Sequence, residues 1–395
     1  MKPNALIQLG TFGQSIWLDY IRRSLIISGE LKRLIEDDGL RGMTSNPAIF
    51  ETAIVKSHDY DEDIRDQALA GKDAKAIYET ISQRDVQSAA DEFRSLYAQT
   101  DGRDGYVSLE VNPHLARDTV GTIEEARHLW SALNRPNVLI KVPATIEGLP
   151  AIQRLISEGI NVNATLIFGL PRYWQVAEAF IAGLEARVAQ GKPVNHIASV
   201  ASFFVSRIDA LVDPLLEKII ARGGEQSDLA QKAHGQIAIA SAKTAYQNFK
   251  EIFGSDRFKK LSAQGAHVQR LLWASTGTKN PEYSDVKYIE ALIGPDTVNT
   301  APLETINAYR NHGEPQARLE QEADEVAQLL KQLPTLGIDL DQITQQLEDE
   351  GIMKFNQPFD KVMETLAQNH SDCRCKKYHA QHAPGYRIQQ EGDGK

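Results

Sequence analysis

The sequence predicts an α/β fold in which eight parallel strands alternate with helices, close into a barrel and are followed by additional C-terminal helices. Eight short apolar, β-branched runs read as strands: SIWLDY from Ser15, LRGMTS from Leu40, YVSLEV from Tyr106, NVLIKVP from Asn137, NVNATLIF from Asn161, ASVASFFV from Ala198, RLLWAST from Arg270 and DTVNTAP from Asp296. Most are apolar on both faces, as expected of parallel strands covered by helices. Between them lie stretches with a helical period, at 89–97, 123–132, 151–158, 173–189, 229–253 and 286–292. Because no Gly-x-Gly-x-x-Gly follows the first run, this alternation favours a (β/α)8 TIM barrel over an open nucleotide-binding sheet.

The strand pattern stops after Ala301, and residues 319–333 and 340–366 predict two more helices, separated by Pro334 and Gly337. These helices form a cap that either faces solvent or lies over the barrel mouth; we expect its role to be mainly structural. No linker divides the chain. We therefore interpret residues 1–368 as one barrel domain with its helical cap, and 369–395 as a flexible polar tail.

Both cysteines, Cys373 and Cys375, fall in that tail. The body of the chain therefore has no disulfide framework and no thiolate zinc site, and a reducing compartment is the simplest setting. Nearby cations leave three interpretations of the pair open: an inert reduced tail, a redox-responsive dithiol, or a weak adventitious metal site.

Composition excludes several function classes. The 395 residues are 42% hydrophobic and carry 43 basic against 53 acidic side chains, a net charge of -10 that does not attract polyanions, so we expect no nucleic-acid partner. The N-terminus lacks a basic region followed by an apolar one, and no run approaches the roughly 18 apolar residues of a membrane span. We expect a cytoplasmic protein with no membrane partner.

The fourth run delivers a lysine, Lys141, between Ile140 and Val142. Strand alternation points it away from those neighbours, either into the barrel or toward the outer helices, where an ammonium would fit poorly. Desolvation inside the barrel would lower its pKa and favour the free amine that attacks a carbonyl to form a Schiff base. Alternatively, the lysine pairs with an inward carboxylate or extends to the rim.

Two other runs end in carboxylates, Asp19 after the first and Glu110 after the third. Schiff-base chemistry needs proton transfers, which carboxylates within reach of a lysine can perform directly or through water. Either residue alone is more often a helix cap or an ion-pair partner. The combination with Lys141 favours the catalytic interpretation.

Neutral polar side chains near other strand ends, Asn46, Asn163, Thr165 and Ser202, suit a polyhydroxylated substrate. Asn46 also precedes Pro47 and could simply cap a helix or turn. Asn163 and Thr165 share one face of a strand, which favours a role in the site.

An anionic end of a substrate would suit Arg207, which closes the sixth run, and the segment from Ser275 to Lys279 after the seventh. Late-strand loops often hold phosphate in barrels, although Ser-Thr-Gly-Thr-Lys does not have P-loop spacing. No His-Glu-x-x-His cluster favours a metal-dependent aldolase, so we expect neither a metal nor a cofactor. No Gly-x-Ser-x-Gly elbow favours ester hydrolysis.

In this order, the motifs resemble the transaldolases over roughly residues 10–368. They are Thr44-Ser45-Asn46-Pro47, Val107-Ser108-Leu109-Glu110-Val111, Ile140-Lys141-Val142-Pro143-Ala144-Thr145, Asn161-Val162-Asn163-Ala164-Thr165-Leu166 and Ser202-Phe203-Phe204-Val205-Ser206-Arg207. The resemblance implies a cofactor-free enzyme of the non-oxidative pentose phosphate pathway. It would move a dihydroxyacetone unit from sedoheptulose 7-phosphate or fructose 6-phosphate to glyceraldehyde 3-phosphate or erythrose 4-phosphate.

The resemblance also implies roles for individual residues. Lys141 would form the Schiff base, Glu110 would transfer protons through a water held with Thr165, and Asp19 would take the proton of the C4 hydroxyl. Binding roles would fall to the remaining candidates: Asn46, Asn163 and Ser202 on the three-carbon unit, Arg207 on phosphate, and Phe204 favouring transfer over release. Where many relatives place a second phosphate arginine, this chain has Ser275 and then Lys279, our candidate.

Two rival functions remain at this stage: a class I aldolase that releases free dihydroxyacetone, and a non-catalytic sugar-phosphate-binding barrel. Phe204 argues against the first, and the joint presence of Lys141, Glu110 and Asp19 against the second. One chain does not reveal the oligomeric state, and a homodimer is one option.

Overall fold

The computed structural model describes residues 4–381, and it describes side chains as far as residue 369. Eight parallel strands form a closed barrel in chain order, with the last pairing to the first. The strands are β1 Gln14–Asp19, β2 Gly42–Thr44, β3 Tyr106–Glu110, β4 Val138–Pro143, β5 Val162–Ile167, β6 Ser199–Phe204, β7 Arg270–Ala274 and β8 Thr297–Ala301. All eight predicted runs are thus strands, and the predicted (β/α)8 barrel with C-terminal helices is confirmed.

Helices surround the barrel and fill most of the connections. They are α1 Ala5–Thr11, α2 Arg23–Ile27, α3 Glu30–Asp37, α4 Pro47–Val55, α5 Asp61–Leu69, α6 Ala74–Glu92, α7 Arg94–Gln99, α8 Thr119–Leu133, α9 Gly148–Glu158, α10 Leu170–Ala189, α11 Ser206–Arg222, α12 Ser227–Ala233, α13 Ile237–Phe253, α14 Asp256–Ser262, α15 Lys287–Ala291, α16 Leu303–His312, α17 Ala323–Gln332 and α18 Leu340–Gln381, with short 3-10 turns at Pro113–Arg117 and Leu333–Leu336. No helix among the described residues is long and apolar enough to cross a membrane.

Several helix predictions were wrong in detail. The predicted helix 229–253 is two helices, because Gly235 adopts a left-handed conformation (φ 68°) between α12 and α13. The predicted helix 319–333 begins only at Ala323. The segments that form α1 to α5, α11, α14 and α16 were not predicted as helices.

The C-terminal helix α18 extends beyond its predicted end at 366 and continues to Gln381. It therefore includes the first residues of the segment predicted as a flexible tail, among them Cys373 and Cys375. The side chains of both cysteines, and residues 382–395 altogether, lie outside the described residues. The three interpretations of the cysteine pair stay predictions.

The β5 strand contains an irregularity close to its C-terminal end. Its pairing with β6 shifts by one residue between Ala164 and Ile167, which marks a β-bulge. Within it, Leu166 has φ 61°, a left-handed conformation that a bulky residue rarely adopts. Of the candidate site residues, Thr165 lies within this bulge and Asn163 directly before it.

The narrow barrel interior makes one glycine necessary. A Cβ atom at Gly42 would lie 2.5 Å from Cε2 of Trp17, which is fully buried. We expect Gly42→Ala to lower the free energy of unfolding by about 1–3 kcal/mol, the usual effect of overpacking a core. The urea midpoint of the purified variant measures this.

Gly10 in α1 provides the matched control, since a Cβ atom there meets nothing within 4 Å. Gly10→Ala should leave stability unchanged or raise it by up to about 1 kcal/mol, as helix propensity predicts. Equal urea midpoints for the two variants would contradict the tight contact at Gly42.

Candidate active site

Three candidate residues occupy neighbouring positions on adjacent strands. In the barrel register, Glu110 of β3 pairs with Lys141 of β4, which pairs with Asn163 of β5. Since side chains of alternate residues point to the same face of a strand, this register brings all three into the interior at one level. They lie toward the C-terminal ends of the strands, where barrel enzymes carry their active sites.

Lys141 is buried and paired. Its Nζ lies 3.3 Å from Oε2 of Glu110 and donates a 3.0 Å hydrogen bond to the backbone carbonyl of Ser45, and both charged side chains are at most 5% exposed. Burial raises the pKa of Glu110, and the Lys141 charge opposes that rise. The sequence left two interpretations of Lys141 open, a reactive amine and a lysine paired with an inward carboxylate. The observed ion pair agrees with the second and is compatible with the first, because Glu110 could accept the lysine's proton.

Asp19 lies at the end of β1, where it interacts electrostatically with Lys141 and Lys279. Thr44 of β2 donates a 2.7 Å hydrogen bond to its Oδ1, and Thr44 is itself 2.7 Å from the Thr300 hydroxyl. Burial raises the pKa of Asp19, while Lys141, the hydrogen bond from Thr44 and Lys279 lower it. A carboxylate with a raised pKa is suited to accept and return a proton near neutral pH.

The neutral candidates divide into a bonded group and a free hydroxyl. The Ser202 hydroxyl donates to Asn163 Oδ1 at 2.7 Å, and Asn163 Nδ2 donates to the Ser108 hydroxyl at 3.1 Å. Thr165 Oγ1 is buried and makes no hydrogen bond within the described residues. Ser202, Asn163 and Ser108 thus form a fixed polar wall, while Thr165 keeps its hydrogen-bonding capacity for another molecule.

Asn46 has the capping role that the sequence left open. Its Oδ1 accepts the Ile49 backbone N–H at 3.1 Å at the start of α4. It also lines, together with Glu110, a cavity of about 20 Å³ on the outer side of the ion pair. Asn46 is thus a helix cap at the edge of the site.

Two cations occupy the opposite side of the mouth. Burial lowers the pKa of the Arg207 guanidinium, and its Nη1 is buried without a hydrogen-bond partner among the described residues. Burial and then the Arg207 charge lower the pKa of Lys279. Ser275 joins the loops that carry them, since its hydroxyl is 3.1 Å from that of Ser206. The segment after β7 therefore lies beside the start of α11, which carries Arg207, and the phosphate site itself stays a prediction.

Aromatic side chains cover part of the site. The Phe204 ring lies 5.1 Å from that of Phe168 between centroids, and the Arg207 guanidinium lies 5.7 Å from the Phe204 ring centroid. Phe355 of α18 has its ring centroid 5.7 Å from Nζ of Lys141. Of the two placements that the sequence left open for the C-terminal helix, the one over the barrel mouth is observed, and the mainly structural role expected for it stays a prediction.

Sequence reasoning missed four contributors to the site. Thr44 and Ser108 were within the quoted motifs but received no role. Ser108 lies two residues before Glu110 on the same strand face, which could have indicated one. Thr44 comes beside Asp19 only through the register of β1 and β2. Ser45 contributes its backbone carbonyl, and because every residue has one, the sequence cannot single it out. Phe355 is distant in sequence, and only tertiary packing brings it to Lys141. Among the described side chains, no three His, Cys, Asp or Glu residues form a metal-binding group.

Comparison with known proteins gives a consistent result. A family model described as "Transaldolase/Fructose-6-phosphate aldolase" matches residues 16–366. A protein named "Transaldolase" from Trichodesmium erythraeum is 48% identical over 93% of this chain and 98% of its own length. Proteins of the same name from Saccharopolyspora erythraea and Mycobacterium tuberculosis are 45% and 43% identical, over 93% and 92% of this chain and 98% and 96% of theirs.

The raised pKa of Asp19 has a consequence for stability. Above that pKa, the folded protein holds a buried charge that the unfolded chain would solvate, and below the ordinary pKa of an unfolded aspartate this cost is absent. We expect Asp19→Asn to melt at a higher temperature than the unaltered protein at pH 8, because Asn retains an oxygen for the Thr44 hydroxyl. The difference should shrink as the pH falls through the raised pKa. Melting curves across pH measure it.

Glu110→Gln is the matched comparison, since it also neutralises a buried carboxylate but leaves Lys141 without its counter-ion. Burial raises the pKa of Glu110 as well, but its neutralisation leaves a buried lysine unpaired, so at pH 8 this variant should melt at a lower temperature than Asp19→Asn. An Asp19→Asn variant no more stable than the unaltered protein at pH 8 would contradict the assigned burial cost.

Proposed function

Because the chain belongs to the transaldolase family, we propose that it transfers a dihydroxyacetone unit between sugar phosphates through a Schiff base on Lys141. The donors are sedoheptulose 7-phosphate and fructose 6-phosphate, and the acceptors glyceraldehyde 3-phosphate and erythrose 4-phosphate. The observation that carries the proposal is Nζ of Lys141, buried inside the barrel and 3.3 Å from Glu110. The proposed location stays the cytoplasm.

The first stage forms the covalent intermediate. Nζ of Lys141 attacks the C2 carbonyl of the ketose after passing its proton to Glu110, whose raised pKa makes that transfer easier than in water. The carbinolamine then loses its hydroxyl as water, with Glu110 supplying the proton through a water molecule. The free hydroxyl of Thr165 supports a role in holding this water.

The second stage breaks and remakes a carbon–carbon bond. Asp19 takes the proton of the C4 hydroxyl, the C3–C4 bond breaks, and its electrons move into the iminium, which becomes an enamine. An aldose phosphate leaves. The enamine carbon then attacks the acceptor aldehyde, Asp19 returns the proton to the new hydroxyl, and hydrolysis of the imine releases the product ketose.

Substrate binding follows the polarity of the site. The wall of Asn163 and Ser202 suits the hydroxyls of the three-carbon unit, and Arg207 with Lys279 suits the phosphate at the far end of the substrate. Ser275 lies between the loops that carry these cations. Phe204 supplies an apolar surface beneath Arg207, so its guanidinium is oriented by the ring. The Asn46 amide is proposed to contact the substrate from the helix-capping position.

A trapping experiment tests the central step. The enzyme is incubated with fructose 6-phosphate and borohydride, with and without erythrose 4-phosphate. We expect a reduced three-carbon adduct on Lys141 and, with acceptor but no borohydride, formation of sedoheptulose 7-phosphate. Lys141→Ala should abolish both. Mass spectrometry locates the adduct.

Lys243 on α13 is a matched control, because it is also nearly fully buried but bonds to the Gln321 carbonyl among the outer helices. Lys243→Ala should still be trapped at Lys141. Full turnover by Lys141→Ala would refute the mechanism, and release of dihydroxyacetone without acceptor-dependent product would favour the aldolase alternative instead.

A second experiment tests the phosphate site. Arg207→Met should lower kcat/KM for fructose 6-phosphate by roughly 30-fold, the loss expected when a hydrogen-bonded charge pair worth about 2 kcal/mol is removed. Lys279→Met should act in the same direction but less, since a lysine lacks the bidentate geometry of arginine. Steady-state kinetics with unphosphorylated fructose serve as the control, because that donor offers no group to either cation. An equal loss for both donors would contradict phosphate binding at these residues.

A further inference from the structure

One face of α18 lies directly on the C-terminal end of β5 and on the start of α10. Thr344 packs against Gly169, and Glu348 forms an ion pair with Arg172, Oε2 to Nε, at 3.2 Å with both side chains at most 10% exposed. Residues three to four apart lie on the same side of a helix. This face continues through Gly351 and Phe355, so the contacts at Thr344 and Glu348 fix where Phe355 lies.

Gly351 sets the distance between α18 and the barrel. A Cβ atom at this position would lie 3.1 Å from Cδ2 of Leu166, closer than most Cβ contacts, and 3.5 Å from the Phe168 ring, in ordinary contact. The absence of a side chain therefore lets α18 approach the bulge in β5 closely. One turn later, Phe355 reaches the interior of the mouth.

At that depth, Phe355 closes one side of the Lys141 ammonium. Its ring centroid is 5.7 Å from Nζ, and the residue is 4% exposed. Glu110 lies on another side at 3.3 Å, and the Ser45 carbonyl at 3.0 Å. An aromatic face within about 6 Å of a cation stabilises it and, unlike a polar group, provides no path for water.

We propose that Phe355 is a positioning residue that covers the nitrogen of Lys141 and keeps water from the covalent intermediate until an acceptor arrives. The inference rests on the proposed function, since it concerns the lifetime of the intermediate on Lys141. The cover favours the cationic ammonium and iminium forms.

The competing reaction that the cover suppresses is simple hydrolysis. The enamine takes a proton on carbon and becomes an iminium, and water adds to the iminium carbon to give a carbinolamine. The carbon–nitrogen bond then breaks, so that Lys141 leaves as an amine with the proton and free dihydroxyacetone is released. Without cover, this sequence consumes the three-carbon unit before it is transferred.

Phe355→Ala tests the inference. With fructose 6-phosphate and no acceptor, we expect the variant to release dihydroxyacetone at least about threefold faster than the unaltered enzyme, the size of effect that a lost cation–π contact in a dry site can produce. With erythrose 4-phosphate present, the ratio of free dihydroxyacetone to sedoheptulose 7-phosphate should rise by a similar factor. A purely structural role would lower both products together and leave this ratio unchanged.

Phe359→Ala is the matched control, because Phe359 lies one turn further along α18 and packs on Tyr78 and His114. It should leave the product ratio unchanged. Should Phe355→Ala fail to fold, Phe355→Leu keeps most of the apolar volume but no aromatic face, and its product ratio should still rise.

The outcomes separate the two proposals. If the unaltered enzyme gives no borohydride adduct on Lys141, the proposed function is wrong and this inference falls with it. If the adduct forms but the ratio is the same in the Phe355 variants and in Phe359→Ala, the inference alone is wrong. A raised ratio confined to the Phe355 variants supports it.

Discussion

The need to hold an ammonium ion inside a closed barrel governs the rest of this structure. An unpaired buried charge costs several kcal/mol, so Lys141 requires Glu110 at 3.3 Å and the Ser45 carbonyl at 3.0 Å. The register of β3 and β4 alone brings Glu110 beside Lys141. A slip of one residue would turn Lys141 toward the outer helices, where those partners are absent. The position of the site residues therefore depends on the strand register. A closed barrel holds that register because it has no free edge strand.

The proposed phosphate site has a local electrostatic basis although the whole chain carries a net charge of -10. Lys141, Arg207 and Lys279 are cationic at the mouth, against the carboxylates of Asp19 and Glu110. Glu110 forms an ion pair with Lys141, and the Asp19 carboxylate is attracted to both Lys141 and Lys279. Arg207 keeps a buried nitrogen without a partner among the described residues. A group with several acceptor oxygens and negative charge, such as a phosphate, would meet that unsatisfied capacity.

The sequence was sufficient to predict the barrel and the residues that carry charge into it, because both leave local signals. A buried parallel strand is a short apolar run, and Lys141 or Glu110 within such a run stands out. Helices α2 to α5 were missed because each has only five to nine residues, too few for an apolar period to stand out, and helices this short depend on tertiary contacts for their stability. Phe355 could not be found for a related reason. The apolar period of 340–366 predicted a helix, but no local feature shows which part of the barrel that helix covers.

The strained part of β5 lies directly beneath the C-terminal helix. Leu166 adopts φ 61°, which costs a residue with a Cβ atom roughly 1–2 kcal/mol and persists only where the surroundings enforce it. Those surroundings include Gly351 of α18, whose position allows Leu166 to be buried beneath the helix. The bulge is therefore packed beneath α18, on the strand that also carries Asn163 and Thr165. The C-terminal helix thus packs both on the strand that carries Asn163 and Thr165 and, through Phe355, on Lys141, so the proposed role of Phe355 depends on the same helix position as the packing over the bulge.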